Sequence, residues 1–169
     1  WLFMIDADTW IEANAEEDAG FQLLRMISDA DRAGAVLVSA PVVKRATEDE
    51  MHAEAHGADA YKLAVYGKPP EGSTKHEALP VKWASQQRKV LTSTTDFGHT
   101  PIWAVGAACC AINMNKLVEI EPPAMYRFTD RLSEDLDFCE QIRNKFGDGK
   151  IMVDPRVKTG HQSRSFPLY

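Results

Sequence analysis

The chain has 169 residues and lacks any apolar run long enough to span a bilayer. The longest candidates, Gly34–Val43 and Pro101–Ile112, are interrupted or too short. No basic residues precede the opening Trp1-Leu2-Phe3-Met4-Ile5, so no signal peptide and no membrane association are visible. A surplus of positive charge is also missing. The net charge of −6 argues against nucleic acid as a partner, because phosphate binding draws on excess Lys and Arg. It leaves room for a nucleotide, whose few charges a metal can meet. Cysteine is scarce. Cys109, Cys110 and Cys139 form no CxxC pair, and an odd count suits no simple disulfide framework. Buried free thiols in a reducing compartment are the expected state. With no targeting signal, a cytoplasmic location is expected. No repeat or low-complexity tract divides the chain, so residues 1–169 read as one domain, large enough for its own core. There is no initiator Met and the chain opens directly in a strand, which reads as a fragment or a chain with its N-terminal part removed.

What is present is an alternation of strand and helix signals. Leu2–Ile5 is a short apolar run ending in acids, which predicts a buried, parallel strand with Asp6 and Asp8 at its carboxyl end. Asn14 and Glu17 resemble a capping box. Phe21, Leu24, Ile27 and Ala30 then recur at helical spacing up to Gly34. Ala35–Val43 predicts a second strand, broken by Pro41. Ala46–Ala64 is polar and Ala-rich, hence partly helical. Gly67–Pro80 is loop-like, rich in Gly and Pro. Val81–Thr95 fits strand or hairpin. Ile102–Ile112 predicts one buried strand with a close backbone approach at Gly106. Asn115–Val118 fits one helical turn. Ser133 can cap a helix running to about Phe146, with Leu136, Cys139, Ile142 and Phe146 on one face and Gly147 ending it. Ile151–Val153 closes the pattern as a strand, and Asp154-Pro155 turns the chain. The order implies an α/β fold.

Three stretches carry chemistry. Asp6-Ala7-Asp8 places two carboxylates one residue apart behind an apolar strand, where ligands of open α/β sheets collect. One can take a divalent cation directly, the other a water or a ribose hydroxyl, and hard oxygen ligands suit Mg²⁺ or Mn²⁺. Solvated turn acids are the plain alternative. Ser133-Glu134-Asp135-Leu136-Asp137 opens a helix with acids that the helix dipole favours without any function. Glu134 or Asp135 could equally face a pocket and take a proton from a hydroxyl. In Asp154 through Gly160-His161, a His near the end of the chain is usually a surface or packing residue, yet its imidazole could complete a cation site. Trp103, Tyr126 and Arg127 are candidates to line an acceptor pocket, with core or rim packing the weightier reading. His52, His56, His76 and His99 read as surface residues.

In this order the stretches resemble a GT-A-type glycosyltransferase, of the family 2 kind. Phe3–Asp8 looks like its hydrophobic strand and DxD motif. Val105-Gly106-Ala107 through Leu117 is similar to the strand and short helix before the acceptor site. Leu132–Cys139 resembles the helix-initiating acidic motif, and Val153–His161 the closing strand with its metal histidine. The resemblance covers nearly the whole chain. It implies a GT-A-like (Rossmann-like), mostly parallel sheet flanked by helices. It further implies a nucleotide-diphosphate-sugar donor (a UDP- or GDP-sugar), a carbohydrate or other hydroxyl acceptor, and Mn²⁺ or Mg²⁺. Asp8 and His161 would bind the metal, and Asp6 would lie near the ribose or a metal-bound water. Asp135 would be the base of an inverting reaction, with Glu134 beside it. The family's nucleotide-binding strands are not seen ahead of Trp1, so this would be the metal- and acceptor-binding part, completed by a missing segment or a partner chain. Two rivals stand beside it. A haloacid-dehalogenase-like phosphohydrolase also sets DxD behind a strand, but it wants Thr or Val where Trp10 stands, and it leaves His161 without a role. A non-catalytic nucleotide- or carbohydrate-binding fragment is the other.

Overall fold

In a computed structural model, the residues described are 1–13, 17–43, 62–71, 76–80, 83–84, 86–87, 102–124, 126–127, 129 and 132–161, with Pro80 and His161 described in backbone only. The elements are β1 (Leu2–Ile5), β2 (Thr9–Ile11), α1 (Ala19–Arg32), β3 (Leu37–Ser39), β4 (Lys62–Tyr66), β5 (Ala78–Pro80), β6 (Ala104–Val105), β7 (Cys109–Ile112), α2 (Met114–Leu117), α3 (Glu134–Phe146), β8 (Ile151–Val153) and β9 (Thr159–His161). The fold is mixed α/β. A four-stranded sheet in the order β1-β7-β3-β8 is its centre.

The expected mostly parallel sheet is corrected in a specific way. β7 is antiparallel to both β1 and β3, and among the described strands only β3 and β8 pair in parallel. β1, β3 and β8 therefore point one way, but the reversed β7 lies between the first two. Ile102–Ile112 is accordingly not one strand. Gly106–Ala108 turns the chain, so β6 joins β4 and β5 in a three-stranded antiparallel sheet while β7 enters the central one. Uniform apolarity hid this break, because every residue from Ala104 to Gly106 and from Cys109 to Ile112 is buried.

Alternation along the central strands splits the core. Val38, Cys109, Ala111 and Met152 face Met26 and Ala30 of α1. Leu37, Cys110, Ile112 and Ile151 face Phe138, Cys139 and Ile142 of α3, on the side that also receives Leu63, Val65 and Val105. Burying such side chains contributes roughly 1.5–3 kcal/mol each. α3 begins and ends where expected, with Ser133 in the N-cap position, though its side chain makes no capping hydrogen bond, and Gly147 following at φ 83°, a conformation that glycine adopts without strain. The cap of α1 is Asp18, whose carboxylate accepts from the Phe21 N–H at 2.7 Å. Asn14 of the expected capping box lies outside the described residues. The buried stripe of α1 also differs from the expected one. Phe21 and Leu24 are exposed, while Gln22, Met26 and Ala30 are buried. Gln22 is tolerated there because its amide donates to the Glu12 carbonyl at 2.8 Å.

Other expectations shift in the same way. Lys62–Ala64 belongs to β4 and Ala78–Pro80 to β5, so neither the helical nor the loop assignment holds at those ends. Trp83, Ala84, Gln86 and Gln87 are helical rather than extended. His52, His56 and His99 lie outside the described residues. The three cysteines are free and buried as expected, and burial pushes each thiol up to about 12. Among the described residues no helix is long and apolar enough to cross a membrane.

Two contacts place the rest. β2 and β9 form a separate ribbon with Trp10 opposite Gly160 and Thr9 opposite His161. A Cβ at Gly160 would lie 2.1 Å from the Trp10 ring, so the indole occupies the space a side chain would need. Behind the ribbon, fully buried Asp154 accepts from Arg156 Nε at 2.8 Å and Nη2 at 2.9 Å, and Arg156 also reaches Asp29 of α1 at 2.6 Å. This ties the β8–β9 connection to the helix.

Candidate functional site

The carboxyl ends of β1, β3 and β8 share one edge of the central sheet, and the turn at Gly106–Ala108 enters β7 there. Asp6 leaves β1 at this edge, held by its N–H to the Ala108 carbonyl at 2.9 Å. Alternation puts Asp6 on the same face as Met4, the face covered by α3. The first turn of α3 brings Glu134 and Asp135 to the same place. Between them lies a cavity of about 300 Å³, lined by Asp6, Glu134 and Asp135, by Tyr126, and by small residues that include Ala64, Gly106 and Ala107. Two acidic stretches about 130 positions apart in sequence thus share one cavity.

Asp135 has the most altered chemistry there. Burial pushes its carboxyl from 3.8 up to about 6, with the nearby Glu134 and Asp6 charges adding to the rise. The Ala107 N–H donates to it and opposes the shift. The helix N-terminus should favour the anion too, so desolvation and like charge outweigh two opposing effects. A carboxyl tuned close to neutral pH is suited to accept a proton.

Gly106 keeps the cavity open. A Cβ there would stand 2.9 Å from the Ala64 Cβ and 3.5 Å from Asp135 Oδ2. Gly106→Val should therefore cost about 1–3 kcal/mol through overpacking and fill the space in front of Asp135. Urea unfolding of the two proteins measures the first effect, and an unchanged midpoint would show that the strands shift to make room.

The other candidates separate. The DxD turn feeds directly into β2, which pairs with β9, so the backbone of His161 runs beside Thr9, the residue after Asp8. The His161 side chain lies outside the described residues. Thr9 buries a hydroxyl that has no hydrogen-bond partner among the described residues. Among those residues no group of three or more His, Cys, Asp or Glu side chains could hold a metal ion. Asp137 turns away from the cavity, buried against Arg127 Nε and Gln141 Nε2, both at 2.7 Å. That contact ties Arg127 to Asp137 and away from the cavity lining. Trp103 is a packing residue under the Arg143 guanidinium, 3.9 Å from its ring centroid. Of the three acceptor-pocket candidates only Tyr126 lines the cavity.

Sequence reasoning passed over Ala64 and Met4 as cavity residues. Both sit inside ordinary apolar strands, and no local signal marks them. The only hint was Gly106 within an apolar run.

No family model matches the chain. Neither the curated proteins nor the solved structures contain a significant match. The functional reading therefore rests on the residues and their geometry.

Proposed function

We propose that this chain carries the metal and acceptor site of a GT-A-type glycosyltransferase that moves a sugar from a nucleotide-diphosphate-sugar to an acceptor hydroxyl. The observation that carries this is the meeting of Asp6 and Asp135 at one cavity, with the Asp135 carboxyl raised to about 6. The reading has Asp135 take the proton of the acceptor hydroxyl. The freed oxygen attacks the anomeric carbon, and the bond to the diphosphate breaks with its electron pair leaving on the phosphate oxygen. A positioned base of this kind contributes about 10²–10⁴-fold.

The donor set at the corner fits a hard dication. Mg²⁺ is commonly held by one or two carboxylates together with substrate phosphates and waters. Asp6 and Asp8 supply two carboxylates, and the β2–β9 pairing carries residue 161 beside them. Bound by Asp8 and His161 with Asp6 alongside, Mn²⁺ or Mg²⁺ would set positive charge against the leaving diphosphate.

Hydrolysis of UDP- and GDP-sugars in Mn²⁺, run against p-nitrophenyl phosphate, tests the class. Activity on the phosphate ester alone would favour the phosphohydrolase. Asp8→Ala should abolish Mn²⁺-dependent donor binding in calorimetry. Equal metal-linked affinity in the two proteins would remove Asp8 from the site.

A further inference from the structure

We propose that the cavity beside Asp135 takes an uncharged or amino-bearing monosaccharide as acceptor, stacked on the Tyr126 ring, and rejects acidic sugars. This rests on the transferase reading and concerns its acceptor alone.

Three observations converge. The charged side chains lining the cavity, among the described residues, are Asp6, Glu134 and Asp135, with no Lys, Arg or His to match an anion. With no dication bound beside Asp6, a second carboxylate or phosphate brought among them meets like charge in a partly desolvated space, where screening is weak. An ammonium or a ring of hydroxyl donors meets acceptors instead.

The aromatic wall is fixed. Tyr126 stacks on Phe138 with centroids 4.3 Å apart and planes at 16°. Phe138 is buried in the core, and the Tyr126 side chain also hydrogen-bonds to the buried Cys110 thiol. One ring face is thus covered and the ring cannot easily rotate. Tyr126 nevertheless remains 36% exposed and lines the cavity, so the opposite face is the one available to a ligand. A flat, immobilised aromatic face beside hydrogen-bond acceptors suits a pyranose, which has an apolar C–H face and a polar rim.

Size supplies the third observation. At about 300 Å³ the cavity is at the small end of ligand sites, enough to enclose one sugar ring. The small residues Ala64, Gly106 and Ala107 in the lining give that space its width.

The test uses methyl β-glucoside, methyl β-glucosaminide and methyl β-glucuronide as probes, read by saturation-transfer NMR on the full chain at pH 7.5 without donor or divalent cation. The glucoside and glucosaminide should bind, and the glucuronide at least tenfold more weakly. Tyr126→Ala should lose binding of all three, and Tyr126→Phe should retain it, with circular dichroism checking the fold of each. Glu134→Gln should narrow the gap between glucosaminide and glucuronide. Equal binding of the glucuronide, or full binding by a folded Tyr126→Ala protein, overturns the proposal. So does hydrolysis of a nucleotide-sugar by a protein that binds none of the three, an outcome that leaves the transferase reading standing. Selective sugar binding without any turnover of donor supports the sugar site and its charge selectivity, and gives it to a carbohydrate-binding module rather than a transferase.

Discussion

Asp135→Asn should have two opposite effects, lowering turnover by about 10²–10⁴-fold while making the folded chain more stable at neutral pH. The loss follows from removing the only proton-accepting state of the side chain while keeping its size. The gain follows from linkage. The carboxyl titrates near 3.8 when free and about 6 when folded. Below pH 3.8 both the folded and unfolded chains carry the proton and no penalty exists. Between pH 3.8 and about 6 the unfolded chain releases it first, so stability falls as pH rises through that window and stays reduced above it. Asn carries no charge to desolvate. The variant should match the parent near pH 3.5 and exceed it at pH 7.5 by roughly 1–2 kcal/mol, a figure discounted for the side chain's partial exposure. Urea midpoints at the two pH values read the stability arm. The activity arm is the parent's kcat/KM, which should fall about tenfold per pH unit below 6 for a single required base. Unchanged turnover in the variant would give the base role to another group or point to a retaining reaction. A simple surface acid would move neither quantity.

Asp154→Ala should be the most damaging single substitution to the fold. The carboxylate is fully buried and takes two hydrogen bonds from one guanidinium and one from the Arg156 N–H at 3.0 Å. Removing it leaves the half-buried Arg156 with Asp29 as its remaining carboxylate among the described residues, two of its three side-chain hydrogen bonds to these acids gone. Breaking a buried pair from one side costs about 3–5 kcal/mol, a large part of the 5–15 kcal/mol typical of a domain. A fall in Tm of about 10 °C is expected. Replacing both partners with Leu should recover part of it, because the buried carboxylate and guanidinium both go, while Asp29 keeps Arg32 as its partner. If Asp154→Ala melts within a degree or two of the parent, water must solvate the guanidinium and the pair is not structural. Activity of whatever fraction remains folded should be kept, in contrast to Asp135→Asn.

Parts of this fold were legible because local signals and tertiary demands agreed. Ser133 and Gly147 bracket α3, and the strand at Ile151–Val153 is closed by a turn. Leu2–Ile5 is a strand as expected, but it lies at the end of the sheet order with Leu2 and Ile5 exposed, not buried. Other parts were hidden because burial on both sides erases periodicity. Ile102–Ile112 is apolar throughout, so nothing in its pattern separates a strand of one sheet from a strand of another. On α1, apolar residues occupy more than one face, and the buried stripe contains Gln22, whose polarity points the wrong way until its hydrogen bond is seen. For the candidate site, the two acidic stretches were visible, but their meeting was not, since neither stretch contains information about the other. It was the resemblance, not periodicity, that joined them. The Asp154–Arg156–Asp29 tie left no trace beyond a charged pair two residues apart.

The tryptophan lying over Gly160 has a consequence for how the tail of the chain is aligned. A slide of one residue between β2 and β9 would bring Thr159 or His161 beneath the indole, where there is no room for a β-carbon. It would also turn every side chain of the sliding strand to the other face. The bare position therefore works as an indexing notch, with the ring as its tooth. A three-residue pairing, too short to hold its own alignment by hydrogen bonds, is thereby limited to the one setting that brings residue 161 next to Thr9.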